Sequence, residues 1–437
     1  LMRVITRDHY LGERLMQQVG FADKELDQSV LEIISQVRQN GDDALYDYTE
    51  KFDGVRLDTL TVTEKELREA SKLVNQDFIL ALDHAKENIT RFHEAQKEQS
   101  WSIYHDDGRL LGQQITPIEK VGVYVPGGKA AYPSTVLMNV IPARLAGVKQ
   151  ISIATPPQAD GKINPHVLAA AHAAGVDMIY KIGGAQAIAA LAYGTKSIGK
   201  VGKIVGPGNA YVARAKKWVF GDVAIDMVAG PSEICIVADE TANPRYAAAD
   251  LLSQAEHDEQ ASSICITTSE SLARAIKEEI EVQLGKLDRR EIIKKSLANN
   301  GRIIIVGDLN EAFELVNVMA PEHLQLMIQN PADSMHMVKN AGAIFLGNYS
   351  PEPLGDYAAG PNHTLPTSGT AIFSSPLGVY DFVKKTSIIQ YGKNALLSAS
   401  DSIITLANAE GLTAHANSIQ IRKDEQDAAT VYHTKNN

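Results

Sequence analysis

Only two cysteines occur in 437 residues, and both stand inside apolar runs, Glu233-Ile-Cys-Ile-Val237 and Ser263-Ile-Cys-Ile-Thr267. That scarcity excludes a disulfide framework and a thiolate metal site. A mid-strand setting also hides either sulfur from substrate, which argues against a catalytic thiol. Dense blocks of Lys and Arg are missing too: 42 basic residues face 53 acidic ones, for a formal net charge of -11. Nucleic acid or an anionic membrane surface is therefore not the expected main partner. No apolar run reaches bilayer-spanning length and no secretory h-region opens the chain, so a cytoplasmic protein is expected. Gly-x-Ser-x-Gly, the Walker loop, His-Glu-x-x-His and a full Gly-x-Gly-x-x-Gly are all absent, which disfavours a serine hydrolase, a P-loop NTPase and a zincin.

What is present is a hydrophobic fraction of 44%, enough for real cores, in a length that suits two to four globular units. Residues 1–23 read as an N-terminal arm with a short helix over Asp8–Met16. Leu26, Val30, Ile33, Ile34 and Val37 fall on one face of a helix from Lys24 to Gly41, and a second helix covers Asp42–Phe52. Residues from Thr63 to about Gln99 read as two helices broken at Asn75.

From Ile118 onward, apolar strands alternate with helices. Strands are expected at Lys120–Val125, Gln150–Ala154, Asp177–Ile182 and Lys203–Val205. The pattern restarts at Glu233–Ala238, Ser262–Thr267, Arg302–Val306, Leu324–Ile328 and Ala343–Leu346. Continuous apolar strands joined by helices mean parallel sheets covered on both faces. The expected fold class is α/β, with two Rossmann-like parallel-sheet domains of related architecture and small helical segments at each terminus. The expected boundaries are 118–232 for one domain, 24–117 with 233–375 for the other, and 376–437 for a C-terminal helical segment. The helices before residue 118 are expected to pack on the second domain.

Several constellations carry possible chemistry. Leu251-Leu-Ser-Gln-Ala-Glu-His-Asp258 reads as the end of a helix beginning near Asn243-Pro244. Gln254 and His257 are three apart and share a face of it. An amide oxygen and an imidazole both suit a zinc-like cation, though the pair also reads as a water-facing helix end. Asp356, in an irregular loop spanning residues 348–370 that also holds Asn362 and His363, and His415, in Gly411–His415, are candidates for further ligands. Gly-rich turns at Gly127-Gly128, Gly183-Gly184 and Gly206-Pro-Gly208 let a ligand approach the backbone and lean weakly towards a nucleotide. Tyr124, Gln186 and Asn209 stand at strand carboxyl ends or the helix starts after them, where open α/β sheets bind ligands. Pro321-Glu322-His323 offers a carboxylate beside an imidazole, a workable acid–base pair or an ordinary polar turn. Ser232 and Glu233 mark another strand-end loop. His84, His93, His105 and His336 have polar or amphipathic surroundings and are expected at the surface.

Taken together, these segments resemble the histidinol dehydrogenase family. The resemblance rests on Val121-Gly-Val-Tyr-Val-Pro-Gly-Gly128, Ile182-Gly-Gly-Ala-Gln-Ala-Ile188, Gly206-Pro-Gly-Asn-Ala210 and Asp226-Met-Val-Ala-Gly-Pro-Ser-Glu233. It continues through Asp250-Leu-Leu-Ser-Gln-Ala-Glu-His257, Ala320-Pro-Glu-His-Leu324, Gly355-Asp-Tyr-Ala-Ala-Gly-Pro-Asn-His363 and Glu410-Gly-Leu-Thr-Ala-His415, in the family's order.

The resemblance implies a zinc-containing enzyme that oxidises L-histidinol through L-histidinaldehyde to L-histidine, the last step of histidine biosynthesis, and consumes two NAD+. By position, it implies that Gln254, His257, Asp356 and His415 hold one Zn2+ per subunit and that Glu322 and His323 are catalytic. Ser232, Gln254, His257, His323, Asp356, Glu410 and His415 would contact substrate, and Tyr124, Gln186 and Asn209 would hold NAD. It implies that residues 118–232 form the NAD-binding domain and that the discontinuous domain carries the metal and catalytic residues. It also implies a homodimer in which Glu410 and His415 cross the interface, which suits a C-terminal segment too small to fold alone. The alternative class is a two-lobed protein that binds a metal or small ligand without catalysis, but that reading leaves Glu322-His323 without a task.

Overall fold

The apolar runs pair as parallel strands in two separate sheets. The structure is a computed structural model and describes residues 2–17, 24–127 and 131–434. Gly128 of the first Gly-rich turn lies outside the described residues.

The five-stranded sheet runs, edge to edge, Met178–Tyr180, Gln150–Ala154, Lys120–Tyr124, Lys203–Val205 and Ala224–Ile225, every neighbour parallel. The chain steps outward from Lys120–Tyr124 and then returns to its other side at Lys203–Val205. Such a reversal opens a crevice at the carboxyl ends of the two central strands, where doubly wound sheets take ligands.

The six-stranded sheet runs Arg3–Thr6, Arg302–Ile305, Ser262–Thr267, Glu233–Ala238, His323–Met327 and Ala343–Leu346, again all parallel. In Glu233–Ala238 every residue after the first is buried, as a strand covered on both faces requires. The helix Pro244–Ala255 that follows starts on an Asn243 side chain accepting from the Arg245 N–H, with proline in its first turn. Because it runs back against the strands, its last turn arrives at their amino ends. Both Cys235 and Cys265 are fully buried.

The helices at Lys24–Asn40, Asp42–Asp53, Glu64–Ser71 and Gln76–Glu94 form where their patterns place them, and Asn75 caps the last through its side chain. Their packing differs from expectation. The stripe Val30, Ile33, Ile34 and Val37 joins a core with the Ala-rich helix Gly184–Tyr193, on the five-stranded sheet rather than the six-stranded one. Leu82 and Ile89 likewise enter the core of Val121, Val123 and Ile151. Periodicity identifies which face of a helix is buried, not what covers it. The N-terminal arm also differs: Arg3–Thr6 is an edge strand paired with Arg302–Ile305.

Two compact units result, one holding residues up to Lys97 with Ile118–Phe382, the other Glu98–Pro117 with the chain from Val383 onward. The second unit contains a sheet not foreseen from its sequence. Val383–Gln390, Leu110–Pro117 and Trp101–Tyr104 pair antiparallel in that order, and the same unit holds the helices Lys393–Ala409 and Thr413–Thr434. The C-terminal segment is therefore strand and helix, not helix alone.

Candidate active site

The crevice of the five-stranded sheet is a cavity of about 1090 Å³, lined among others by Tyr124, Gly127, Gly183, Gln186, Asn209 and Tyr211. The three residues expected to hold a dinucleotide thus share one cavity of suitable size. Tyr124 ends the central strand, and its buried hydroxyl accepts the Gly184 N–H at 3.0 Å; burial pushes that phenol up to about 12. Gln186 is 1% exposed, and its Oε1 has no hydrogen-bond partner among the described residues. Asn209 caps the helix Ala210–Val219, its Oδ1 accepting from the N–H groups of Tyr211 and Val212, both at 3.1 Å.

The loop before Asn209 is held from below. Lys216 donates to the Gly206 carbonyl oxygen at 3.0 Å, Asp226 accepts the Gly206 N–H at 2.8 Å, and the two side chains form a fully buried ion pair. Gly206 has φ 107°, and a Cβ there would lie 2.1 Å from the Tyr124 carbonyl oxygen, so only glycine fits this crossing.

A second cluster gathers at the amino ends of the six-stranded sheet, not at the carboxyl ends that open α/β sheets usually favour. His323 opens its strand beside Ile234 of the neighbouring one. Its Nδ1 lies 2.9 Å from the Glu233 carbonyl oxygen and 3.6 Å from Glu322 Oε2, and Glu322 Oε2 accepts the Glu233 N–H at 2.8 Å. Glu322 and His323 are both buried, at 6% and 4% exposure. Close packing fixes the turn that carries them, since a Cβ at Gly342 would lie 2.5 Å from the Glu322 carbonyl oxygen. Gln254 arrives from the end of Pro244–Ala255. With its amide oriented by its neighbours, Nε2 stands 3.2 Å from the Glu233 carbonyl oxygen and 3.3 Å from both Glu352 Oε2 and His323 Nδ1. The Glu233 carbonyl can only accept, so Nδ1 of His323 carries the proton. The Gln254 amide then donates to Glu233 and Glu352, leaving Oε1 free to act as an acceptor or ligand atom.

His257, Glu352 and Asp356 bring one ligand atom each within 4.8 Å of one another. Asp356 sits in a π-helical turn, Gly355–Ala359, and is 3.8 Å from His363 Nδ1. Burial first, and then the charges of the neighbouring carboxylates, raise Glu322 and Glu352 well above the ordinary range. Burial lowers His323 and His363. No Lys or Arg forms an ion pair with Glu322, Glu352 or Asp356 among the described residues. Several buried acids beside three imidazoles and an amide oxygen, with no basic side chain between them, form a donor set that fits a divalent ion such as zinc.

A cation bound there would displace protons that the acids otherwise retain. Zinc added to chelator-treated protein is therefore expected to raise Tm, by the equivalent of about 2.7 kcal/mol at roughly 100 times Kd. The gain should grow as pH rises above the ordinary carboxylate range, because acids with raised pKa values lose stability as pH rises through those values unless the ion compensates. Scanning calorimetry at several pH values checks this; an increment that does not depend on pH would refute proton displacement.

Gln254, His257, Glu322, His323 and Asp356 are thus brought together, and Ser232 directly precedes Glu233, the first residue of the strand Glu233–Ala238. Glu410 and His415 belong to the second unit, where Glu410 caps one helix and His415 lies in the first turn of the next. Glu352 was missed, although its spacing of four from Asp356 places both on one side of a helical turn. His363 was noticed without a role. His93, expected at the surface, is fully buried: Nδ1 meets the Ile89 carbonyl oxygen at 2.8 Å, and Nε2 is 3.3 Å from the Asn362 amide nitrogen, which pins the loop beside His363. Its spacing of four from the buried Ile89 was the available signal.

The histidinol dehydrogenase family profile matches residues 17–423. The chain is 60% identical to histidinol dehydrogenase of Oceanobacillus iheyensis over 98% of this chain and 100% of that protein. It is 54% identical to that of Clostridium acetobutylicum, over 97% and 99%. Its fold is similar to the crystal structure of histidinol dehydrogenase from Elizabethkingia anophelis, with TM-score 0.92 and 40% identity over 98% of this chain and 99% of that one.

Proposed function

This chain belongs to the histidinol dehydrogenase family, and from that premise we propose that it oxidises L-histidinol to L-histidine through L-histidinaldehyde, with two NAD+ consumed and one zinc ion per subunit. The observation that carries the proposal is the buried pair Glu322-His323, set beside a cation-ready cluster in a chain that also holds a dinucleotide-sized cavity.

His323 Nδ1–H donates to the Glu233 carbonyl, which leaves Nε2 with its lone pair. Burial lowers the ring's pKa, so it is neutral at physiological pH and able to take the alcohol proton as the carbon gives up a hydride. Glu322, raised by burial, is suited to remove a proton from water, so that hydroxide adds to the aldehyde carbon. The hydrate then yields a second hydride, with a proton passing again to His323, and the product is a carboxylate. When bound, NAD+ would accept the hydrides, and zinc, which Gln254, His257, Asp356 and His415 of the partner subunit would hold, would anchor the substrate. Glu352 would add negative charge beside the same cation. Tyr124, Gln186 and Asn209 line the cavity for the dinucleotide. Ser232 and Glu410 of the partner subunit would complete the contacts to substrate. We place the enzyme in the cytoplasm as a homodimer.

The test is an endpoint. With zinc-loaded protein, limiting L-histidinol and excess NAD+, two NADH should form per histidinol, and chelation should abolish both. A single NADH would mean that the aldehyde leaves and that Glu322 has no second-stage role here.

A further inference from the structure

One carboxylate in the dinucleotide cavity takes no part in the chemistry above. Asp53 is the last residue of the helix Asp42–Asp53, where the negative end of the helix dipole disfavours an anion. It lines the cavity, and its Oδ2 is buried without a hydrogen-bond partner among the described residues. Gln186 Oε1, from the same cavity, is a second unpartnered acceptor. Burial pushes the Asp53 carboxyl up to about 6, so above that value the chain holds a poorly solvated charge. Two buried acceptors in one cavity ask for a ligand that brings donors.

In doubly wound domains the donors met by such an acid are ribose hydroxyls, and the acid normally stands at the end of the second strand. Here the second strand of the five-stranded sheet, Gln150–Ala154, ends in Thr155-Pro156-Pro157-Gln158. All four of these residues line the cavity and none carries a carboxylate. The usual position is vacant of acid, and a helix from earlier in the chain delivers one to the same cavity. Among the described residues, none of the helix Asp42–Asp53 joins the contacts of the Glu322-His323 cluster.

We propose that Asp53 selects NAD+ over NADP+ by accepting the 2′-hydroxyl of the adenosine ribose and repelling a 2′-phosphate. This rests on the NAD reading given above. Glu32 lines the same cavity, so among the described lining residues a phosphate would meet two carboxylates against one ammonium, that of Lys51, which lies 5.3 Å from the Phe52 ring.

Calorimetric titration of the full-length protein with ADP-ribose and with 2′-phospho-ADP-ribose tests the proposal without turnover. Wild type should bind ADP-ribose at least about 50-fold more tightly. Asp53→Asn should weaken ADP-ribose by about tenfold and bring the ratio below about 5, with Tm no lower than wild type because an unpartnered charge is removed. An unchanged ratio in Asp53→Asn overturns the role of Asp53 and leaves the NAD reading standing. Equal weakening of both ligands with a lowered Tm makes Asp53 structural and also overturns it. Failure of wild type to bind either ADP-ribose or NAD+ would sink the NAD reading itself, before any variant is made.

Discussion

Glu322→Gln is expected to lower steady-state formation of histidine by about 10²–10⁴-fold, the usual loss when a general base is removed, while sparing the first hydride transfer. In a single turnover the variant should release about one equivalent of NADH and then stall, with the aldehyde recoverable by a hydroxylamine trap. The substitution is conservative in shape. The amide oxygen of Gln can still accept the Glu233 N–H that Glu322 Oε2 now accepts at 2.8 Å, so the turn that positions His323 should survive, and an unchanged Tm would verify that. His323→Ala, by contrast, removes the base common to both stages and should leave no burst. The pH profiles should differ as well: burial lowers the His323 pKa, so the first stage loses rate only as pH falls below the ordinary imidazole range. If Glu322→Gln slows both hydride transfers equally, its assignment to water is wrong.

The second large effect is restoration of activity from two dead chains. His415→Asn should lose zinc and activity, and the double variant Glu322→Gln, His323→Ala should keep zinc but lose activity. If each site takes His415 of the partner subunit, a heterodimer of the two has one fully intact site. Its activity should return to about half that of wild type per dimer, as expected for two equivalent sites related by twofold symmetry. Verified heterodimers with no activity would show that His415 serves the site of its own chain.

Much of the fold was legible because parallel strands buried on both faces leave continuous apolar runs. Gln150–Ala154, Lys203–Val205, Glu233–Ala238 and Ser262–Thr267 have the same bounds in pattern and in structure, as does the less buried edge strand Ala343–Leu346. The antiparallel strand Leu110–Pro117 was not legible. It mixes Gly, Gln and Thr among its apolar residues, and its partner Val383–Gln390 is far away in sequence. The site divides along similar lines. Gln254 and His257 stand at helical spacing, and Glu322 adjoins His323, so local pattern found each pair. Glu352 lies between prolines in an irregular stretch, so its spacing of four from Asp356 carried weight only once the folded chain showed a helical turn there. Asp53 reads as one more polar residue closing an exposed helix, and its unpartnered oxygen is visible only once the cavity exists.

The pairing of Leu110–Pro117 with Val383–Gln390, in which Pro117 meets Val383, has a consequence for synthesis on the ribosome. The earlier strand emerges first, and its partner follows only after the whole of Ile118–Phe382 has been translated, an interval of about 13–53 s at roughly 5–20 residues per second. Throughout that time one long strand edge of the nascent chain has no native neighbour and is open to improper pairing with other chains. Arg3–Thr6 waits in the same way for Arg302–Ile305. Assembly of this protein is therefore timed by its last segment, and chains that stop short of residue 383 present an unmatched edge to chaperones and proteases.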